Sequence, residues 1–368
     1  MKIIFFSILV SLFSTKTFAQ AASASLFPEM LSINPATVGK RTQGVFSISP
    51  KIDMVKKELD ASEAFGATGI TISEDLQVTS GSIFYGGKGG FITSEIFLES
   101  ASGEKKITLK SPTANDELKL SGDNMFLRYN LGVGKIIGLG LGYMTFNNKS
   151  EFTTTFQGQS FSNSGKGENK LLMIRPGFGG NLFGIDLGLY LEKVTNDNAT
   201  TNSDAGSSTT TNTTEKTTYY GGAVGISNKT LHIEVAYEKQ KEDTIIEKYN
   251  DDGSPAGQKT LNPSRATFVI EGKFGKLGLG YTGQYYQDGY INYQGFILNQ
   301  LAYLNTREDA RLENIFNFSW GSDKGHGFSG SFSTSSSKGK EKSLFTGNKQ
   351  LPSTTTATAA SLKYTYSW

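Results

Sequence analysis

Few residues in this chain are of a type and spacing that could do chemistry. His232 and His326 are the only two histidines in 368 residues, and there is no cysteine. His232 sits in an alternating run with Glu234 and Glu238, and His326 lies among glycines. Neither is paired with a serine or an acid in the way a nucleophile and its base require. A metal site would want paired histidines or thiolates. The sequence therefore assigns no catalytic residue, no metal and no cofactor. Gly132-Val-Gly134 and the Gly138–Gly142 run have the composition of a phosphate-cradling loop. No helical pattern follows them and no lysine–serine pair closes them, so they read as strand glycines packing an interior. What remains is a set of alternating charges: Lys51, Asp53, Glu95, Arg128, Arg175, Asp186, Glu192, Glu234, Glu271, Lys273, Arg311 and Glu313. Both signs are mixed. The charges could neutralise one another across a wet interior, or they could set a field selective for ions or polar solutes.

The segments carrying these charges alternate with a period of two. Met125, Leu127, Tyr129, Leu131 and Val133 share one face, with Arg128 and Asn130 on the other. Ile185, Leu187, Leu189 and Leu191 repeat the pattern against Asp186 and Glu192. Such segments are strands with one apolar face. Short Gly/Asn turns near Lys88, Lys135, Asn181–Phe183, Asn228-Lys229, Gly275-Lys276 and Gly321–Gly327 alternate with long polar connections. The long ones lie near Lys56–Phe65, Ala101–Ser121, Asn147–Glu168, Asn196–Glu215, Lys241–Pro263, Ile291–Thr306 and Ser337–Thr355. Short turns at one rim and long loops at the other predict an all-β, antiparallel, up-and-down transmembrane barrel of about 14 strands. Ile107–Leu120 could instead form an extra hairpin within a loop, and the Thr/Asn/Ser run at 200–214 reads as a mobile surface loop.

Composition agrees with that class. There are 43 Gly, 25 Phe and 16 Tyr, and hydrophobic content is only 37%, as expected when every second strand residue faces lipid. A formal net charge of +2 gives no electrostatic reason to expect nucleic acid as a partner. Residues 1–21 read as a signal peptide: Lys2 opens it, an apolar run follows, and Ala19 or Ala21 is a cleavage point. The division that follows is signal peptide 1–21, an N-terminal segment 22–43 and the barrel 44–368, with the cell outer membrane as location. The final strand carries Leu362, Tyr364, Tyr366 and Trp368 on one face. It reads as the barrel-closing strand and resembles the C-terminal assembly signal of Gram-negative outer-membrane proteins. That resemblance implies outer-membrane lipid and the barrel-assembly machinery as partners.

Asn34-Pro35-Ala36, within Leu31–Gly39 just ahead of the first strand, resembles the Asn-Pro-Ala element near the N-terminus of FadL/TodX-type barrels. Thr37 stands where that family usually has glycine. The spacing is also similar to PorP/SprF barrels. The FadL/TodX resemblance implies a fourteen-stranded channel, a lumenal N-terminal hatch, and passive transport of hydrophobic small molecules such as long-chain fatty acids. A general diffusion porin for polar solutes and a structural or interaction barrel stay open as alternatives. The residues themselves supply a reason for a hatch. Leu26, Phe27, Met30, Leu31 and Ile33 would form an exposed patch at a periplasmic surface. Pro28 and Pro35 disfavour both a spanning helix and an extra strand. The lumen is the remaining site, where strand parity makes Phe91, Phe97, Tyr190 and Tyr286 the facing aromatics. A mobile tail, or a handle for a periplasmic partner, is the other reading of this segment.

Overall fold

The computed structural model describes residues 25–27, 31–60, 70–110, 115–156, 159–204, 207–241, 243–249, 255–287, 310–321, 324–342 and 350–368. The expected signal peptide at 1–21 and the whole expected connection at 291–306 lie outside these residues. The first described element is a short 3-10 helix, Pro35–Lys40. Strands β1 (Val45–Asp60), β2 (Thr71–Gly86), β3 (Ile92–Lys110), β4 (Asn115–Val133), β5 (Ile137–Phe156), β6 (Gln159–Leu182), β7 (Ile185–Asp204) and β8 (Ser207–Ser227) follow. After β9 (Leu231–Gln240) come the short β10 (Asp243–Tyr249) and β11 (Pro255–Leu261). The chain ends with β12 (Ser264–Phe274), β13 (Leu277–Gln287), β14 (Ala310–Gly321), β15 (Gly325–Lys342) and β16 (Gln350–Ser367).

Fourteen of these strands close an antiparallel barrel, each bonded to its sequence neighbours, with β9 passing directly to β12. β10 and β11 pair only with each other, as a separate hairpin between β9 and β12. β16 closes the wall on β1 from Val45↔Ser367 to Glu58↔Thr354. Closure pairs every wall strand on both sides near the short turns, whereas β8 projects beyond β9, with which it pairs only from Tyr219↔Gln240 to Ser227↔His232. The short rim is turned at Gly134, at Phe183-Gly184 and at Gly275, all with positive φ. A tight hairpin needs that conformation, and glycine adopts it without strain.

The wall has two halves with opposite polarity. Near the short turns, exposed positions are apolar: Ile83 and Tyr85 on β2, Leu127 on β4, Leu139 and Leu141 on β5. Their inward neighbours are charged or polar, such as Glu95, Arg128, Asn130 and Arg175, all buried. The exposed apolar belt is what a bilayer stabilises and water does not. Towards the long connections the faces exchange. On β2, Thr71, Asp75 and Gln77 are exposed, while Ile72, Leu76 and Val78 are buried. Ile70, Ile72, Ile107, Leu109 and Leu118 form an inward apolar cluster there.

This second half corrects the sequence reading. Ala101–Ser121, Asn147–Glu168 and Asn196–Glu215 are largely wall rather than loop. β3 pairs with β4 out to Lys110↔Asn115, and β5 with β6 out to Phe156↔Gln159. The Thr/Asn/Ser run is paired out to Asp204↔Ser207 and is not a free surface loop. Nor is Ile107–Leu120 a separate hairpin, since it continues the wall. β5 has 20 residues, about 65 Å at ~3.3 Å per residue, whereas a tilted span takes about 9–11. The surplus stands in water, so its outward face is polar and lacks the alternation that marks a lipid-facing strand. Threonine suits a pleated backbone regardless.

Candidate functional site

The described part of the N-terminal segment, residues 25–27 and 31–41, lies in the short-turn half of the lumen. Ser32 N–H donates to Glu95 Oε1 at 2.8 Å and Ser32 Oγ to Glu95 Oε2 at 3.2 Å. Arg41 meets the same carboxylate at 2.5 Å, with both side chains buried. Asn130 Nδ2 bridges this pair to the segment, donating to Glu95 at 2.7 Å and to Ser32 O at 3.0 Å. Arg175 Nη1 donates to Ile33 O at 2.8 Å while its Nη2 pairs with Glu192 at 2.5 Å. Lys40 reaches Asp186 at 2.8 Å. Further upstream, the Ser25 hydroxyl and the Leu26 N–H both donate to Glu271 at 2.7 Å. Glu95 on β3, Asn130 on β4, Arg175 on β6 and Glu271 on β12 thus hold backbone groups of the segment, and Asp186 on β7 holds its Lys40 side chain. Buried charges persist only when paired and hydrogen-bonded, and here the segment supplies part of that satisfaction.

Asn34 and Pro35 set the local turn. Asn34 caps the 3-10 helix, its Oδ1 accepting from Ala36 N–H at 3.1 Å, and Pro35 occupies the first helical position. Proline is tolerated there because that N–H would be unpaired anyway. Asn34 Nδ2 also donates to Phe178 O on the wall at 2.7 Å. The wall beneath is made of inward glycines. A Cβ on Gly138 would fall 2.2 Å from Pro35 C, and one on Gly177 2.0 Å from Asn34 Oδ1. One on Gly280 would fall 2.9 Å from the Phe27 ring. Side chains at these three positions would occupy the space the segment fills.

The expected site residues divide. Phe27, Leu31, Ile33, Asn34, Pro35 and Ala36 are buried, and Leu26 is half-buried. Leu31 and Ile33 share one apolar cluster with Phe97, Tyr190 and Tyr286. Tyr190 and Tyr286 also belong to the charge network: guanidinium groups of Arg175 and Arg311 stack over their rings at 4.9 and 4.0 Å. Phe91 is a correction. It precedes β3, its side chain is 79% exposed, and it lies outside the lumen. Its odd-number parity with Phe97 fails because the alternation starts only at Ile92. Met30 lies outside the described residues.

The sequence reading did not single out Arg41, Ser32, Asn130 or the Arg265–Glu238 pair at 3.3 Å. Asn130 and Glu238 were visible as inward by parity. Arg41 was not, because it precedes the first strand and its partner Glu95 is 54 residues away. Above the segment, towards the long connections, Phe126, Met144, Phe146, Leu171 and Met173 line the interior and are fully buried. The lumen is filled at their level. Among the described residues no group of histidines and carboxylates could hold a metal ion.

At the closing seam, Leu362, Tyr364, Tyr366 and Trp368 all face outward. Trp368 exchanges backbone bonds with Gly44 at 3.1 and 3.2 Å, and its ring lies 5.8 Å from Tyr85 and 6.3 Å from Tyr366.

No family model matches the chain, and no curated protein matches it. Solved structures do. The P. putida toluene transporter TodX is similar with a TM-score of 0.54 and 9% identity, over 96% of this chain and 99% of that one. A Pseudomonas aeruginosa FadL homologue gives 0.55 and 12%, over 96% and 98%. A TodX mutant described as a monoaromatic hydrocarbon channel gives 0.57 and 10%, over 95% and 96%. Identities this low speak for architecture alone. A closed fourteen-stranded wall matched along almost its full length means that this chain has the fold of the FadL/TodX-type channels.

Proposed function

We propose that this protein is an outer-membrane channel for hydrophobic small molecules, with residues 25–41 as its hatch. One observation carries the reading: a segment bearing Phe27, Leu31 and Ile33 fills the short-turn end of the lumen, below an interior lined by Phe126, Met144, Phe146 and Leu171. An apolar interior partitions apolar solutes from water. A filled lumen disfavours the steady ionic flow of a diffusion porin. The toluene and hydrocarbon channels of the same fold support this substrate class, with long-chain fatty acids as a second candidate of the same chemistry. Release would require the segment to give way, and its polar contacts with the wall are hydrogen bonds and ion pairs that can exchange partners. The short-turn rim and both described ends then face the periplasm.

The test is uptake into proteoliposomes of toluene, oleate and a sugar of similar mass, beside planar-bilayer conductance. Hydrocarbon or oleate uptake with little ionic current is the expected result. A large steady current with equal entry of sugar would return the protein to the porin class. Deleting Ser25–Ser32 should raise conductance while leaving the barrel folded, and conductance held at the parent level would show that the segment is not a plug.

A further inference from the structure

The long-connection half of the wall carries a polar recess of about 330 Å³ on β4–β7. It is an outside feature. Its rim side chains, Asp123, Asn147, Lys149, Lys166 and Glu168, are all exposed, and they alternate with inward positions. The backbone of Gly122, Asn148 and Gly167 runs between the two rows as the floor; Asn148 is the cross-strand partner of both glycines. The recess is also close to the bilayer. Met125, the last apolar outward residue of β4, is exposed and lies two residues below Asp123, about 7 Å along the strand.

Two features of the rim point to a ligand. Lys149 and Lys166 are direct cross-strand partners on the same face. Like charges placed opposite each other destabilise a strand pair. Neither forms an ion pair with a described residue, although nearby Lys170 pairs with Glu168 at 2.9 Å and Lys106 with Glu117 at 2.6 Å. The lower row differs: Asp123, Asn147 and Glu168 offer oxygen acceptors and one amide. A bare anion would meet those carboxylates unfavourably, whereas a sugar would donate hydroxyls to them. A phosphorylated sugar uses both rows, and a phosphate seated between two ammonium groups removes their repulsion.

We propose that this recess binds the phosphorylated sugar headgroup of a glycolipid in the outer leaflet. The depth fits, because the recess begins where the apolar belt ends and headgroups lie at that level. Acyl chains of the same lipid would run down the exposed Tyr143, Leu172 and Ile174 of β5 and β6. The assignment depends on the long-connection rim facing outward across the outer membrane, and it is independent of what passes through the lumen.

The test uses full-length protein reconstituted in nanodiscs, titrated with lipid A (an acylated, diphosphorylated glucosamine disaccharide) and with its dephosphorylated form. The variants are K149Q/K166Q and, as a control on the same outer wall, K106Q. The double variant should bind lipid A roughly tenfold or more weakly, with K106Q at the parent level, and dephosphorylation should weaken parent binding to a similar degree. Equal binding by parent and double variant would overturn the proposal. Inorganic phosphate displacing lipid A at the concentration at which it binds alone would also overturn it, and would make this a free-phosphate site. Hydrocarbon uptake measured on the same proteins separates the readings: an intact lipid site on a barrel without uptake removes only the transport function.

Discussion

The two halves of the wall are built from the same strands and solve opposite problems. In the short-turn half, lipid lies outside and the N-terminal segment inside. Leu127 faces out at 39% exposure while Arg128 beside it is 2% exposed. In the long-connection half, water lies outside and the wall packs on itself. Gln77 faces out while Leu76 and Val78 are buried. Alternation persists along the whole strand, but the solvent decides which face is apolar. The difference teaches what inward charge is matched against at each level. In the short-turn half it meets a segment whose backbone groups need partners, whereas in the long-connection half the buried Lys105–Glu74 pair, at 2.7 Å, satisfies itself among apolar neighbours.

The inner network should give the largest effect. Arg175 pairs with Glu192 and holds Ile33 O, and Arg128 lies farther from Glu192, at 3.7 Å. Changing Arg175→Met should destabilise the barrel by about 3–5 kcal/mol, because a buried carboxylate loses its nearest partner. Adding Glu192→Gln should recover much of that loss. Urea unfolding of the four proteins in a double-mutant cycle measures it, and additive single effects would mean that the pair does not act as a unit. Next in size is the outer face. Leu127→Arg should cost about 2–4 kcal/mol in a bilayer, while Gln77→Arg should stay within ~0.5 kcal/mol. Equal costs at both sites would remove the distinction between the halves.

The same contrast explains what could be read in the sequence. Lipid imposes its demand residue by residue, so Ile137, Leu139, Leu141 and Tyr143 announce a strand, its outward face and the membrane without knowledge of any partner. The short turns are equally local, since Gly134 and Gly275 carry their positive φ within two or three residues. Phe27, Leu31 and Ile33 were legible by exclusion, being apolar residues with no other place to go. The rest depends on distant pairings. Gly138 read as an interior glycine, but that it and Gly177 make room for Pro35 and Asn34 follows only from closure of the wall. Arg41 lacks a strand pattern to orient it. The Thr-rich upper strands face water outside, so a loop and a projecting strand have the same composition there.

A third prediction is smaller and tests that glycine floor. Gly177→Ala would place a methyl group against Asn34 and Pro35, whereas a Cβ on lipid-facing Gly180 meets nothing within 4 Å. Overpacking of this kind costs about 1–3 kcal/mol, and the segment, rather than the fourteen-stranded wall, should yield. Gly177→Ala should therefore raise conductance, with Gly180→Ala unchanged. Unfolding with no rise in conductance would show that the wall gives way first.

The smallest effect belongs to the charges of the upper outer face, which share their chemistry with Arg175 and Glu192 but not their solvent. Glu117 meets Lys106 at 2.6 Å and Lys119 at 3.3 Å, with its side chain 34% exposed. The hydrogen bond from Lys106 leads in holding the Glu117 carboxyl below the usual carboxylate range; slight burial opposes it, and Lys119 assists. A depressed folded-state pKa gives stability that is present above the unfolded value and lost as pH falls through the folded one. Water and salt screen this pair, so Glu117→Gln should cost only about 0.2–1 kcal/mol near neutral pH. The difference between parent and variant should vanish once pH falls below the carboxylate range, and should shrink in high salt. The Arg175–Glu192 pair, enclosed by the wall and the segment, should keep its effect in the same salt. If both pairs faded together as salt rose, the lumen would be as wet as the outer surface and the segment would not seal it.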